Sequence, residues 1–240
     1  MTPWDRRALV RAAAASIVAW ALCVLVVAAT DEGGVPWGAR LGRALPTAPL
    51  AAALGAGLVL ARARSRGELR ALEAAGQSAS RSAYGPVIGG VLPAALLSAL
   101  ALAAVLDVSS FFPRAGSMQR AVRADRGAFF DAAAGLRISQ DGAIAREGEA
   151  ASLRDLGQPR GARLAVAATV LGASIALALA TARPPGLRRR AWMAVAGLAA
   201  LASLGCFQLA AVARAPAWLA IVPHVLVALA LGLRSRQRTR

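Results

Sequence analysis

Lysine is missing from this chain: all 28 of its basic residues are arginine. That absence excludes two chemistries. A P-loop nucleotidase needs the Lys of GxxxxGK[ST] on its β/γ phosphates, and a Schiff-base enzyme needs a lysine amine. Histidine is represented by His224 alone, which rules out a multi-histidine metal site. The two cysteines, Cys23 and Cys206, lie inside apolar runs. They offer no disulfide framework and no metal-ligand spacing, and read as small buried hydrophobes. No paired carboxylates and no nucleophile–base pair fall within those runs. The chain is therefore expected to be no enzyme in its own right, with neither cofactor nor metal.

What is abundant is apolar sequence, 58% of the residues, with a mean hydropathy of +0.55. It comes in blocks of roughly twenty, the length that crosses a hydrocarbon core of about 30 Å. The expected fold is an all-α membrane protein with six transmembrane helices in a 3+3 arrangement. Their expected positions are 9–29, 44–62, 87–106, 163–182, 191–211 and 216–233. The first block is longer than the apolar region of a usual signal peptide and reads as a span. Three units follow: 1–106 with the first three spans, a polar insert at 107–162, and 163–240 with the last three spans and a basic tail.

Charge sets the expected orientation. With the N-terminus inside, segments 1–11, 62–86, 183–190 and 234–240 hold sixteen Arg against three acids, Asp5, Glu68 and Glu73. The outer segments hold twelve Arg and nine acids. Arginine enriched on one side is the positive-inside pattern, so both termini are expected to be cytoplasmic. A pI of about 11.9 then reflects topology, and no nucleic-acid partner is implied. The loop RPPGLRRR (183–190) reads as an anchor on anionic lipid.

The insert is expected to continue the third span as a helix over 117–135, with Ala121, Ala128 and Phe129 on one side. A hairpin is expected over 135–147 around Asp141-Gly142. It has too few large apolar residues for a substantial core.

Between the second and third spans stands RSRGELRALEAAGQS. Ser65 and Glu68 match the S-x-x-E capping box, and Gly76 is a C-terminal stop. The spacing predicts a helix over 66–75 with Leu69 and Leu72 on one face, and Ser78 (or Ser80) capping the next helix. Read from these residues alone, it is an interfacial helix on the inner leaflet or a docking peg for a cytoplasmic partner. Gly85, Gly89 and Gly90 in the third span, and Gly55 and Gly57 in the second, predict close helix packing. Gln208 and His224 are candidate intramembrane polar groups, expected to hydrogen-bond between helices or to line a transport path.

The stretch ALPTAPLAAALGAGLVLARARSRGELRALEAAGQS resembles the lipopolysaccharide-export permeases, the LptF/LptG (YjgP/YjgQ) family. The motif that carries the resemblance is Glu68, Leu69, Leu72, Ala74, Gly76 and Ser78, set after a Pro-containing second span. GARLAVAATVLGASIALALATARPPGLRRR and APAWLAIVPHVLVALALGL are similar to the family's fourth span with its basic loop and to its last span; His224 stands where Asn is usual. The resemblance implies a permease subunit of an ABC-type exporter in the bacterial inner membrane. Its partners would be a cytoplasmic ATPase dimer, a second six-span permease, a lipid or glycolipid cargo and a periplasmic bridge protein. It implies that Glu68, Leu69, Leu72 and Gly76 form the coupling helix that seats in the ATPase. The family's large β-jelly-roll cannot fit in an insert of 56 residues. Thr30, Asp31 and Glu32 stand where the family has basic residues near lipid phosphates, leaving Arg40 and Arg43 as candidate replacements. A non-transporting scaffold that recruits a cytoplasmic partner through the same helix is the alternative.

Overall fold

A computed structural model describes residues 2–30, 36–112, 122–125, 128–131, 136–138, 144–146, 161–211 and 214–236. The spanning part is all helical. In chain order it contains α1 (Pro3–Thr30), α2 (Trp37–Ala44), α3 (Ala48–Ser65), α4 (Glu68–Ala74) and α5 (Ala79–Leu102). After the insert come α6 (Ala162–Ala182), α7 (Leu187–Ala211) and α8 (Val222–Arg236). Five helical stretches are long and apolar enough to cross a membrane: Pro3–Thr30, Trp37–Ser65, Arg81–Leu102, Ala162–Ala182 and Leu187–Ala211. The chain is a multi-pass membrane protein. Ala217–Leu231, where a sixth span was expected, is a shorter apolar helix. It begins as a 3-10 segment, Ala217–Ile221, entered from Pro216.

Two of the helices begin well before the apolar blocks do. α1 starts at Pro3 because Thr2 and Asp5 cap it reciprocally. The Thr2 backbone N–H and hydroxyl both donate to Asp5 Oδ2 at 2.8 Å, and the Asp5 N–H donates to Thr2 Oγ1 at 3.2 Å. This is a capping box with Asp in the Glu position and Pro at the first helical site. α5 starts at Ala79, where the Arg81 N–H donates to Ser78 Oγ at 3.4 Å, as expected of Ser78. Pro86 and Pro93 lie within α5, which therefore runs continuously through Gly85-Pro86.

The second span carries a 3-10 turn near its start. α2 passes through a 3-10 turn, Leu45–Thr47, into α3, with Pro46 and Pro49 unable to donate. The Ala44 carbonyl instead accepts Thr47 Oγ1 at 2.6 Å and Trp20 Nε1 at 3.3 Å.

α6 is central, touching α3, α5, α7 and α8, while α1 packs on α3 and α5. Small residues make those contacts close, as the glycine spacing predicted. A Cβ on Gly85 would lie 2.6 Å from the Asp5 carbonyl oxygen, and one on Gly89 would overlap the Leu9 backbone. Gly90 abuts Ala52 and Ala56, and Gly55 abuts Ala12 and Ser16. Van der Waals contact between backbones is what holds helices together where lipid is as apolar as the side chains.

The insert departs from expectation. Val122–Asp125 (β1) and Ala128–Asp131 (β2) are antiparallel strands, not a helix extending the third span. Only Arg126 and Gly127 separate them, a polar-plus-Gly break that a continuous helix would not favour. β3 (Leu136–Ile138) and β4 (Ile144–Arg146) pair antiparallel, as the alternation predicted. Ile138 faces Ile144 across the ladder, so five residues join the strands; the expected Asp141-Gly142 turn lies outside the described residues. The four strands form one sheet in the order β1-β2-β3-β4.

Candidate functional site

The helices alternate in direction, and the two ends of the bundle differ. One end gathers the start of α1, the end of α3, α4, the start of α5 and the end of α6. It carries the residues that the sequence marks for function.

α4 is shorter than predicted, seven residues against ten, for a physical reason. α3 runs on through Ser65, whose hydroxyl donates to the Arg62 carbonyl at 2.9 Å. Ser65 is therefore not a cap and the Ser65–Glu68 box does not form. Gly67 ends α3 and opens α4 in the left-handed region, φ 73°, where other residues are strained. Gly76 closes α4 as expected, φ 84°. The Gly76 N–H donates to the Glu73 carbonyl and the Gln77 N–H to the Leu72 carbonyl, both at 2.9 Å. This is a Schellman motif.

Between its two glycines α4 buries no residue, and Leu69 and Leu72 are half-exposed. Its tie to the bundle is Glu68. Trp4 Nε1 of α1 donates to Glu68 Oε2 at 3.1 Å, and Arg66 Nη1 lies 3.9 Å from Oε1. The Glu68 side chain keeps 34% of its surface exposed, so the carboxylate is held and still open. Trp4 carries no signal of its own in the sequence; a lone Trp near a span end reads as an interfacial residue.

Beside this tie lies a cleft of about 310 Å³ between α1 and α3, lined by Trp4, Arg7, Arg11, Arg62, Arg66 and Glu68 over Ala8, Val59 and Ala63. A second arginine set joins the halves. Arg64 Nη2 donates to the carbonyls of Ala182 (2.9 Å) and Arg183 (3.2 Å) at the end of α6. Arg183 Nη2 donates to the Leu231 carbonyl of α8 at 3.2 Å, and its guanidinium stacks over Trp192 at 5.2 Å. Arg64 thus sets a cation on the free carbonyls at the C-terminus of α6, favourable both as hydrogen bonds and against the helix dipole. In the sequence these arginines register as topology charge only.

No known protein family, curated protein or solved structure matches the chain.

The remaining candidates are dispersed. Arg40 stacks on Trp37 at 5.1 Å on α2, and Arg43 is exposed nearby; both are at the opposite end from α4. His224 is 2% exposed, and its Cβ faces Gly172 of α6. Its Nδ1 has no hydrogen-bond partner among the described residues. Gln208 is exposed on α7. The two do not form one polar site. The interhelical hydrogen bond in this region comes from Ser203, which donates to the Ala220 carbonyl at 2.6 Å.

Proposed function

We propose that the chain is a permease subunit of an ABC-type exporter drawing a lipopolysaccharide-like glycolipid from the bacterial inner membrane. In this reading the 217–231 helix completes six spans, both termini are cytoplasmic, and a second six-span permease pairs with this one. A separate cytoplasmic ATPase dimer seats on α4, and the sheet of the insert faces the periplasm toward a bridge protein. The observation that carries the reading is α4 itself: a helix with no buried residue, stopped by left-handed glycines on both sides and tied to α1 through Glu68. Such a peg is set off from the spans by glycine joints, held to α1 through Glu68 and open on its surface, as a docking element for a partner must be. A chain without lysine has no P-loop of its own, so the drive comes from elsewhere.

The test is recovery of the ATPase from membranes at matched permease levels. Glu68→Gln is expected to insert normally and lose much of the ATPase, since removing one side of a desolvated charge pair costs about 2–5 kcal/mol. Glu68→Arg is expected to lose more, and Leu72→Asp to fail as well. An Arg→Glu change in the ATPase is expected to rescue Glu68→Arg in part but not Leu72→Asp. Full recovery with Glu68→Arg overturns the reading.

A further inference from the structure

The cleft between α1 and α3 carries four guanidinium groups, Arg7, Arg11, Arg62 and Arg66, against the single carboxylate of Glu68. That carboxylate is already shared between Arg66 and Trp4 Nε1. Arg7, Arg11 and Arg62 have no ion-pair partner among the described residues. Like charges so placed repel one another, by an amount that falls when an anion enters. Arg7 and Arg11 lie four residues apart on one face of α1; Arg62 is on α3, and Arg66 caps that helix with its N–H on the Arg62 carbonyl. The floor is apolar, made by Ala8, Val59 and Ala63.

The surface beside the cleft is also apolar. On α1, Val18, Leu22 and Leu25 continue the face of Arg11 at spacings of seven, four and three, and all are exposed. On α3, Leu58 and Leu54 continue from Arg62 in steps of four, exposed as well. A cationic pocket at a span end, opening onto exposed apolar stripes, matches an amphiphile with an anionic head.

We infer that this cleft binds the phosphate headgroup of an anionic glycerophospholipid, its acyl chains lying along α1 and α3. Arg11 and Arg62 grip the phosphate from the two helices; the planar guanidinium suits such an oxyanion through paired N–H donors. Arg66 bridges from the phosphate to Glu68, linking the lipid to the joint of α4. The inference needs the chain to lie in a membrane and does not depend on transport or on any ATPase.

The experiment uses the full-length protein purified in detergent, supplied with phosphatidylglycerol or phosphatidylcholine and read by native mass spectrometry. Wild type is expected to retain phosphatidylglycerol and not phosphatidylcholine. Arg11→Gln/Arg62→Gln is expected to lower retention about tenfold or more, and Arg11→Lys/Arg62→Lys, which keeps the charge, to lower it several-fold. Arg163→Gln/Arg214→Gln removes the same charge from exposed positions at the start of α6 and just after α7 and is expected to leave retention unchanged. An equal loss with that control overturns the inference, because diffuse charge then suffices. Undiminished retention in both cleft variants also overturns it. So does displacement of the lipid by millimolar inorganic phosphate, which would make the cleft a site for a free anion.

Discussion

The two ends of the helical bundle are held together by different physics. At the end opposite α4, the segment after α5 folds back on α2. The Asp107 N–H donates to the Gly38 carbonyl at 3.1 Å, and Ser110 Oγ to the Gly42 carbonyl at 3.3 Å. This seats Phe111 and Phe112 edge-to-face on Phe207 of α7, with centroids 5.5 and 5.4 Å apart. Leu45, Leu106, Val108 and Val166 complete a buried apolar cluster that joins the two halves of the chain. At the α4 end the halves share smaller apolar clusters, Ala56 and Val87 with Ala178 and Ala53 with Leu177, Ala196 and Leu231, and Arg64 and Arg183 add hydrogen bonds to the carbonyls of Ala182, Arg183 and Leu231. The first end is one packed aromatic core; the second combines smaller apolar clusters with directional polar ties around an exposed peg. Cores resist displacement in every direction, whereas single hydrogen bonds break one at a time. The contrast assigns rigidity to the aromatic end and leaves the peg end free to respond to a partner.

Substitutions can break that contrast, and the largest effect is expected at the aromatic end. Phe207→Ala removes both ring contacts of a fully buried side chain and is expected to cost about 3–5 kcal/mol. It should lower the thermal midpoint in detergent sharply. Arg64→Leu leaves the carbonyls of Ala182 and Arg183 without their cationic donor, an expected loss of about 2 kcal/mol. Here hydrogen exchange should rise at the end of α6 while the aromatic end stays protected. Equal loss of protection at both ends would show that the ends are one cooperative unit and end the comparison.

Smaller changes sharpen it. Trp4→Phe keeps an aromatic, though smaller, side chain and deletes the indole N–H that reaches Glu68, costing about 1 kcal/mol. The expected signature is faster proteolysis within α4 with little change in the overall midpoint. The mildest change is expected to be stabilising. Ala104 sits in the left-handed region, φ 62°, at the end of α5. There the Val105 N–H bonds the Leu100 carbonyl at 3.0 Å and the Ala104 N–H the Ala101 carbonyl at 3.3 Å. A Schellman stop of this kind favours glycine, so Ala104→Gly should gain about 1 kcal/mol, seen as a small rise in midpoint.

Much of the helical framework was legible beforehand because membrane spans are written locally. Apolar blocks, Pro and Gly mark where helices run and stop, and five of the expected spans reappear with shifted ends. Shifts at helix starts trace to polar residues that extend a helix past its apolar block, as Thr2 and Asp5 do for α1, whereas the third span stops early at Leu102. Gly76 and Ser78 acted as read, since each serves backbone groups within a few residues of itself. Ser65 did not, because Gly67 offered the chain a cheaper break than a serine cap. The first half of the insert was misread because short stretches of Ala, Phe and Arg suit a helix face and a strand pair equally well. Pairing partners decided between them.

By itself, then, the sequence determined a lysine-free, multi-pass membrane chain with a short helix set between its second and third spans, because each of those features depends on neighbours along the chain. Which arginine holds which helix end, and which tryptophan holds Glu68, belonged to the tertiary structure alone. Trp4 and Glu68 stand 64 positions apart, and Arg64 and Ala182 stand 118 apart. No local pattern encodes a hydrogen bond across such distances; it forms only when packing around small residues brings the helix ends within reach.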